Sequence, residues 1–205
     1  MAALSETDVA TVTRAVSALG PLDEPALEAA LKSFRARSLE PGECLLRAGE
    51  RATAVAVVVS GLIREYFITP AGVERTKNFS TPGQWTGSLP DLLSGTPARA
   101  FIVAEEQTRL VIVSWDDLLA LELSHPAFAM LARRSAERLL LVKAEREYQL
   151  ICLDAEARYQ AFQERYGALE SRLAARHVAS YLGITPVHLS RLRRRRAGKR
   201  TLSRS

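Results

Sequence analysis

The sequence predicts an α+β protein, and three observations support this class. Seven of the 11 glycines fall between Gly42 and Gly95, where they separate short runs of β-favouring residues. Apolar residues at helical spacing precede this segment, and a long helical pattern follows it from Trp115. Near the end of the chain, one glycine separates two short amphipathic patterns, the second of which is dense in arginine. A β-rich middle between helical segments follows from these patterns.

The first 36 residues predict two helices. Apolar residues recur at helical spacing from Val9 to Leu19, and Gly20-Pro21 ends the pattern. A second, shorter helix is expected to begin at Asp23 or Glu24, with its apolar residues on one face.

Residues 38 to 114 predict an antiparallel sandwich or barrel. The β-favouring runs are ECLLRA, AVAVVVS, LIREYFI, VERTKNF, RAFIVAEE and RLVIVS, and turn signals separate them. The sequence TPAG, from Thr69 to Gly72, predicts a hairpin turn.

A long helix is predicted to follow, with Ser124 as its N-cap and Pro126 in its first turn. It continues to about Leu153, and roughly 28 residues is long for a helix of a globular protein. Such a helix either packs on its own domain or pairs with a second chain, and we favour a dimerisation helix. A partly apolar seam lies near heptad spacing: Leu131, Ser135, Leu139, Val142, Arg146, Gln149 and Leu153.

Charge divides the chain unevenly. The 205 residues carry a net charge of +5, but the segment from Ser171 onward has nine Arg, one Lys and no acidic residue. That segment therefore carries +10 and the preceding residues carry 5 − 10 = −5. Such an end indicates either a module that binds a polyanion or a solvated basic tail.

Composition excludes several classes. No apolar run approaches the ~20 residues of a membrane span, and the first residues resemble no secretory signal, so a cytoplasmic location is expected. Cys44 and Cys152 are too few and too far apart to frame a metal site. We expect idle thiols, with redox sensing as the alternative. No arrangement of nucleophile, base or phosphate loop indicates an enzyme, and no metal or cofactor is predicted.

The stretch HVASYLGITPVHLSRLRRRR predicts a helix-turn-helix. Ala179 is the small residue at the helix crossing, and Gly183, four residues later, takes the left-handed turn. Thr185 can cap the second helix, and Pro186 suits its first position. The residues predicted to pin the two helices together are Val178, Leu182, Ile184, Leu189 and Leu192.

The second helix is therefore predicted to be a recognition helix that enters the major groove of DNA. Arg191 is expected to read a base edge, and Arg195 or Arg196 is expected to contact phosphate. The residues predicted to face DNA are Thr185, Val187, His188, Ser190, Arg191, Arg194 and Arg195.

These residues resemble the Crp/Fnr transcription regulators. The C-terminal stretches DAEARYQAFQERYGALESRL and AARHVASYLGITPVHLSRLRRR resemble a short-tailed subgroup of that family. The stretch PGECLLRAGERATAVAVVVSGLIREY resembles the first half of its cyclic-nucleotide-binding β-roll. The resemblance implies a homodimer that binds a two-fold-related DNA site and regulates transcription. It is also compatible with RNA polymerase as a partner and with a small-molecule effector, which the sequence does not identify.

The phosphate-binding cassette of the nucleotide-binding members is altered here. In those members a Glu holds the ribose hydroxyl and an Arg neutralises the cyclic phosphate. Here the stretch reads GSLPDLLSGTPARAF, in which Ser88 replaces the Glu. Ala98 stands where the Arg is expected, with Arg99 one position later. One position along a strand points to the opposite face, so Arg99 reaches the pocket only if a bulge shifts the register.

The long helix departs from the family as well. An alignment without gaps places Lys143 and Ala144 where the family's helix reaches the adenine, and we favour solvent over an acidic ligand as the surroundings of Lys143. We expect no useful affinity for cyclic AMP or cyclic GMP. The residues predicted to line the ligand pocket are Gly87, Ser88, Leu89, Arg99 and Lys143.

The expected organisation has three parts. Residues 1–124 form a jelly-roll-like β-roll sensor domain, residues 125–154 a dimerisation helix, and residues 155–205 an all-α helix-turn-helix domain. The family's β-hairpin wing is expected to be absent, and AGKRTLSRS to be a flexible basic extension. Two functions fit. The first is a dimeric DNA-binding transcription regulator, and the second is a nucleotide-sensing regulatory subunit whose basic end binds RNA or an acidic protein.

Overall fold

The computed structural model describes the backbone of residues 3–202 and the side chains as far as Arg196. The chain divides into two compact units. The first comprises Met1–Phe67 and Lys77–Leu139, and the second comprises Ile68–Thr76 and Leu140–Ser205. The division into three domains stays a prediction.

Two helices open the first unit as predicted: α1 (Glu6–Ser17) and α2 (Glu24–Ser33). A capping box starts α1, because the Ser5 hydroxyl accepts the N–H of Asp8 while the Asp8 carboxylate accepts the N–H of Ser5. The Asp23 carboxylate caps α2 by accepting the N–H of Ala26 at 2.9 Å.

The structure describes eight strands in two four-stranded sheets. One sheet has the order β1-β8-β3-β6 and the other the order β2-β7-β4-β5. The recorded strand pairs are antiparallel. The strands are β1 (Arg35–Leu39), β2 (Cys44–Leu46), β3 (Ala54–Ser60), β4 (Ile63–Ile68), β5 (Glu74–Ser80), β6 (Trp85–Thr86), β7 (Phe101–Ala104) and β8 (Thr108–Ser114).

These sheets confirm the predicted α+β class with an antiparallel β-roll near the N-terminus. The six predicted runs became β2, β3, β4, β5, β7 and β8. Sequence reasoning missed β1 and β6. The first is a polar pentapeptide, RARSL, in which two residues are buried, and the second has two residues, so neither shows the alternation of a longer strand.

Two groups of buried side chains form the core of this unit. One joins the helices to the first sheet and includes Val12, Phe34, Val57, Val111 and Phe128. The other joins both sheets and includes Leu39, Val58, Ile63, Ile102 and Leu110.

The helical segment after β8 is broken at His125. A short helix, α3 (Leu89–Ser94), lies between β6 and β7, and α4 (Trp115–Ser124) and α5 (Pro126–Cys152) follow β8. The expected N-cap role of Ser124 is wrong. Ser124 ends α4, and its hydroxyl donates to the carbonyl of Ala120 at 2.7 Å. His125 is extended because a residue before proline is disfavoured in the helical region.

The long helix α5 matches its predicted bounds, but the predicted seam packs against this chain. Of its seven residues, Leu131 is buried and the other six are half-buried. A different face is exposed, on which Leu141 is 70% and Tyr148 is 53% accessible. The predicted seam is thus partly covered by this chain, whereas this second face is open, and the use of either face in a dimer stays a prediction.

The second unit is helical apart from the hairpin residues 68–76. It contains the end of α5, α6 (Ala155–Tyr166), a 3-10 turn (Gly167–Leu169), α7 (Ala175–Leu182) and α8 (Pro186–Leu202). Three aromatic rings of its core, Phe162, Tyr166 and Tyr181, lie within 5.7 Å of one another by ring centroids. The expectation of a flexible extension from Ala197 is wrong as far as Leu202, where α8 ends. Residues 203–205 lie outside the described residues.

Candidate functional site

The turn between α7 and α8 has the geometry that the sequence predicts. Gly183 follows α7 in the left-handed region, with φ 69° and ψ 32°. Its N–H donates to the carbonyls of Ala179 and Ser180, and the N–H of Ile184 donates to the carbonyl of Ala179 at 3.0 Å. These bonds close the end of α7, and a residue with a Cβ is strained at this φ.

The predicted inner residues form the joint between the two helices. Val178, Leu182 and Leu189 are fully buried, and Leu192 is nearly so. Ala179, the predicted crossing residue, is 1% exposed. Because these side chains pack together, the turn and the two helices form a helix-turn-helix.

Thr185 caps α8 as predicted. Its hydroxyl accepts the N–H of His188 at 3.2 Å, and its carbonyl accepts the N–H of Leu189 at 3.0 Å. Pro186 is the first residue of the helix, where its missing N–H costs nothing.

The outer face of α8 is exposed and positively charged. Arg191, Arg194 and Arg195 form no ion pair with any residue whose side chain the structure describes. Glu170 is the last acidic residue of the printed sequence, so no acidic side chain between Ser171 and Ser205 offsets their charge. All seven residues predicted to face DNA are exposed, and the structure brings them together on the first turns of this helix: Thr185, Val187, His188, Ser190, Arg191, Arg194 and Arg195.

Two further arginines of α8 point elsewhere. The Arg193 side chain is half-buried, and its Nε donates to Glu170 at 2.7 Å. The Arg196 guanidinium lies over the Tyr159 ring, 6.0 Å from its centroid. Sequence reasoning did not find the contact with Glu170, because the partners lie 23 positions apart in an irregular turn and a helix.

A second candidate site lies at the start of α3. Gly87 has φ 142°, and a Cβ there would lie 2.9 Å from a methyl carbon of Val55. Ser88 is buried, and its hydroxyl donates to the carboxylate of Asp91, which is also buried. Leu89, the first residue of α3, is half-buried. Asp91 was not among the predicted residues, although its spacing from Ser88 is the Ser-x-x-Asp pattern of a helix start.

Ala98 and Arg99 lie on opposite sides of their segment. Ala98 is buried among core side chains, and its backbone is paired with residues 49 and 50: Gly49 N–H donates to its carbonyl at 2.7 Å and its own N–H donates to the Glu50 carbonyl at 2.8 Å. Arg99 is exposed. These four residues of the predicted pocket, Gly87, Ser88, Leu89 and Arg99, belong to the first unit, whereas Lys143 is exposed on α5 in the second unit.

Other candidate chemistry is sparse in the part of the chain that the structure describes. It contains no group of three or more His, Cys, Asp or Glu side chains that could hold a metal ion. Cys44 and Cys152 are free, and burial raises the pKa of the Cys44 thiol, which disfavours the reactive thiolate. Within residues 3–202, no helix has both the length and the apolar character needed to cross a bilayer.

Known proteins resemble the chain over both units. The family model of the cyclic nucleotide-binding domain matches residues 36–125. An anaerobic regulatory protein of Aggregatibacter actinomycetemcomitans is 27% identical over 173 residues, which are 77% of this chain and 65% of that protein. The cyclic AMP receptor protein of Thermus thermophilus is 32% identical over 116 residues, which are 54% of this chain and 53% of that protein.

The fold agrees with these relatives. The structure of FixK2 from Bradyrhizobium japonicum matches with a TM-score of 0.71 and 21% identity, and the match covers 81% of this chain and 85% of that one. The chain spans about two thirds of the length of the first curated relative. The curated relatives are named as regulatory proteins, and they do not favour a regulatory subunit that binds RNA or an acidic protein. The comparisons support the resemblance seen in the sequence: residues 36–125 match the cyclic nucleotide-binding domain, and the chain is similar to regulators of the Crp/Fnr family.

Proposed function

We propose that this protein is a DNA-binding transcription regulator that binds a two-fold-related operator as a homodimer. The observation that carries the proposal is the outer face of α8, where Arg191, Arg194 and Arg195 are exposed and unpaired among the described side chains. A rigid helix with unpaired arginines suits the major groove, whose base edges accept hydrogen bonds and whose phosphates attract cations.

Within this proposal the arginines have different roles. Arg191 lies one turn after Val187, near the start of the helix, where recognition helices contact base edges. Arg195 contacts phosphate. Of the two candidates for that role, Arg195 is favoured because the Arg196 guanidinium lies over the Tyr159 ring.

The domain roles are part of the same proposal. Residues 1–124 act as the sensor domain, residues 125–154 as the dimerisation helix and residues 155–205 as the DNA-binding domain. A small effector other than cyclic AMP controls the protein, or none does. The support for this is the altered cassette, in which Ser88 and Ala98 are buried and Arg99 is exposed. The protein acts in the cytoplasm, where RNA polymerase is a further partner.

Gel-shift titrations with DNA from upstream of its own operon, together with selection of binding sites from random DNA, test the proposal. Wild-type protein is expected to select a palindromic site. Arg191→Ala is expected to weaken binding by about 1–3 kcal/mol and to relax the preference at one position of each half-site. Arg14→Ala, which removes an exposed arginine from α1, is the control and should change neither. Binding that is indifferent to sequence in the wild type would refute the proposal, and an unchanged selected site in Arg191→Ala would refute the role of Arg191.

A further inference from the structure

The described arginine side chains of α8, from Arg191 to Arg196, divide between two faces of the helix. Residues at spacing i, i+3, i+4 and i+7 share one helical face. Leu189, Leu192, Arg193 and Arg196 have this spacing, and the two leucines are buried in the joint with α7. Arg193, which is half-buried, and Arg196, which is exposed but lies over the Tyr159 ring, therefore continue the inner face of the helix. The outer face carries Arg191, Arg194 and Arg195.

The Glu170 carboxylate lies beside this inner face and accepts hydrogen bonds from several side chains. Glu170 follows the 3-10 turn, and its side chain is 17% exposed. It accepts hydrogen bonds from Arg193 Nε at 2.7 Å, from the Tyr159 hydroxyl at 2.9 Å and from the Gln163 side-chain amide. The Gln163 amide also donates to the Tyr159 hydroxyl at 3.2 Å. One carboxylate thus joins α6, the turn and α8.

We propose that Glu170 and Arg193 are positioning residues that fix the rotation of α8 about its own axis, and so determine which base edges Arg191 reaches. The inference rests on the proposed function, because it assigns the DNA-reading role to the outer face. In this arrangement Arg193 does not contact DNA, although it lies within the arginine block.

Few buried apolar side chains hold α8 in place. Among its described side chains, Leu189 and Leu192 are the buried ones, and they lie close together in the first half of the helix. Apolar packing has no directional preference, so two leucines permit some rotation of the helix. The charge-assisted hydrogen bond from Arg193 to Glu170 is directional, and Tyr159 and Gln163 hold Glu170 in place. This bond therefore limits the rotation that the leucines permit.

Charge provides the discriminating property. Each phosphate contact made by a free arginine releases counterions and adds about one unit to the slope of log K against log salt concentration. The Arg193 charge is already compensated by Glu170. Its loss should therefore weaken DNA binding without changing the salt slope, whereas the loss of Arg195 should change the slope.

The experiment measures operator affinity across a salt series for five variants of the full chain, one of which is Arg193→Glu alone. Arg193→Met and Glu170→Gln are each expected to weaken binding about tenfold with an unchanged salt slope, since each removes one charge-assisted bond. Arg195→Met is the matched control, and the magnitude of its salt slope should decrease by about one unit. The fourth variant exchanges the pair, Glu170→Arg with Arg193→Glu, and should bind at least several times more tightly than Arg193→Glu alone.

The exchanged pair separates positioning from contact. If Arg193 touches DNA, a glutamate at position 193 repels phosphate whatever stands at position 170, and no rescue occurs. A slope that falls by one unit in Arg193→Met overturns the proposal, and so does unchanged affinity and site preference in Glu170→Gln. Circular dichroism of each variant must match the wild type, and Arg193→Lys supplies a milder change if Arg193→Met does not fold.

A second measurement needs no DNA. Glu170→Gln is expected to raise the hydrogen-exchange rates of the α8 amides from about residue 190 to 196, because the helix loses its polar anchor. If the wild type binds no DNA, the proposed function has failed, and these rates then decide the positioning role alone. Unchanged rates overturn it.

Discussion

At the scale of single residues, Asp8 shows how a charge is kept inside the first unit. Its side chain is fully buried, and it accepts two hydrogen bonds from the Arg109 guanidinium, at 2.8 Å from Nε and 2.6 Å from Nη2. The hydrogen bonds from Arg109 lower the pKa of Asp8 from 3.8 to about 2, although burial opposes the change. The bidentate pair ties α1 to β8 and explains why a buried acid is tolerated there.

This pair predicts a pH-dependent stability. Because the folded-state pKa is depressed, the stabilisation is complete above pH 3.8 and is lost as the pH falls through about 2. Asp8→Asn is expected to lower the free energy of unfolding by about 2 kcal/mol at pH 7, and this difference from the wild type should shrink below pH 3.8.

Urea unfolding at pH 7 and at pH 3 measures both effects. Glu6→Gln, which removes an exposed acid from the same helix turn, is the control and should have little effect at either pH. A difference between Asp8→Asn and wild type that grows as the pH falls would contradict the assignment.

At the scale of elements, local rules in the sequence predicted the helix-turn-helix well. The helix crossing needs a small residue, here Ala179, and the turn four residues later needs a residue that tolerates the left-handed conformation, here Gly183. Because sterics restrict these positions to few residue types, the sequence alone reveals them. The same holds for the glycine-separated strands. Contacts between distant segments leave no such pattern. The partner of Arg193 and the exposed face of α5 depend on the packed structure, which the periodicity of the sequence does not report.

The altered cassette could be predicted from the sequence only in part. Its departures from the family were visible in the sequence at Ser88 and Ala98. The hydrogen bond between Ser88 and Asp91, however, depends on how α3 begins. The break at His125 carried a signal that was overlooked, because a residue before proline rarely stays helical.

The left-handed turn predicts a second stability effect. Gly183→Ala is expected to lower the free energy of unfolding by about 1 kcal/mol, because alanine is strained at a φ of 69°. The control is Gly167→Ala. Gly167 has a φ of −55°, and its added Cβ would meet only the Gln163 side chain, at 3.5 Å. Thermal unfolding of both variants checks the difference, and equal melting temperatures would show that the turn tolerates a Cβ.

At the scale of the whole molecule, the exposed stripe of α5 is expected to bury itself against a second copy. The stripe consists of Leu141, Ala144, Tyr148 and Ile151, at the alternating three- and four-residue spacing of a coiled-coil seam. Leu141→Glu with Tyr148→Glu is therefore expected to produce monomers that bind the operator weakly, because a dimer contacts two half-sites.

Light scattering on the folded variant checks this prediction. Leu123→Glu, which places the same charge at a leucine that is 90% exposed on α4, is the control and should remain a dimer. A wild-type monomer at micromolar concentration would contradict the prediction. The same change at Leu139 and Val142 would be a poorer test, because both are half-buried against this chain and their loss would also destabilise it.

The protein as a whole is expected to have no useful affinity for cyclic AMP or cyclic GMP. A cyclic phosphate inside a β-roll needs a fixed cation, because an unpaired buried charge costs several kcal/mol. The position where that cation is expected holds Ala98, which is buried and whose N–H and carbonyl are both paired with residues 49 and 50, and Arg99 is exposed. The ribose hydroxyls need an acceptor, and the carboxylate expected there is replaced by Ser88, whose shorter, neutral side chain is buried and hydrogen-bonded to Asp91.

Titration calorimetry with cyclic AMP on the wild type and on Arg99→Ala tests this expectation. Neither protein should release or absorb binding heat at micromolar ligand. Arg47→Ala, which removes an exposed arginine outside the cassette, shows whether any heat comes from non-specific attraction between the nucleotide and surface charge. Micromolar binding that Arg99→Ala abolishes and Arg47→Ala preserves would mean that the segment around Ala98 shifts to turn Arg99 inward. The cassette would then be displaced rather than lost, and the prediction would have failed.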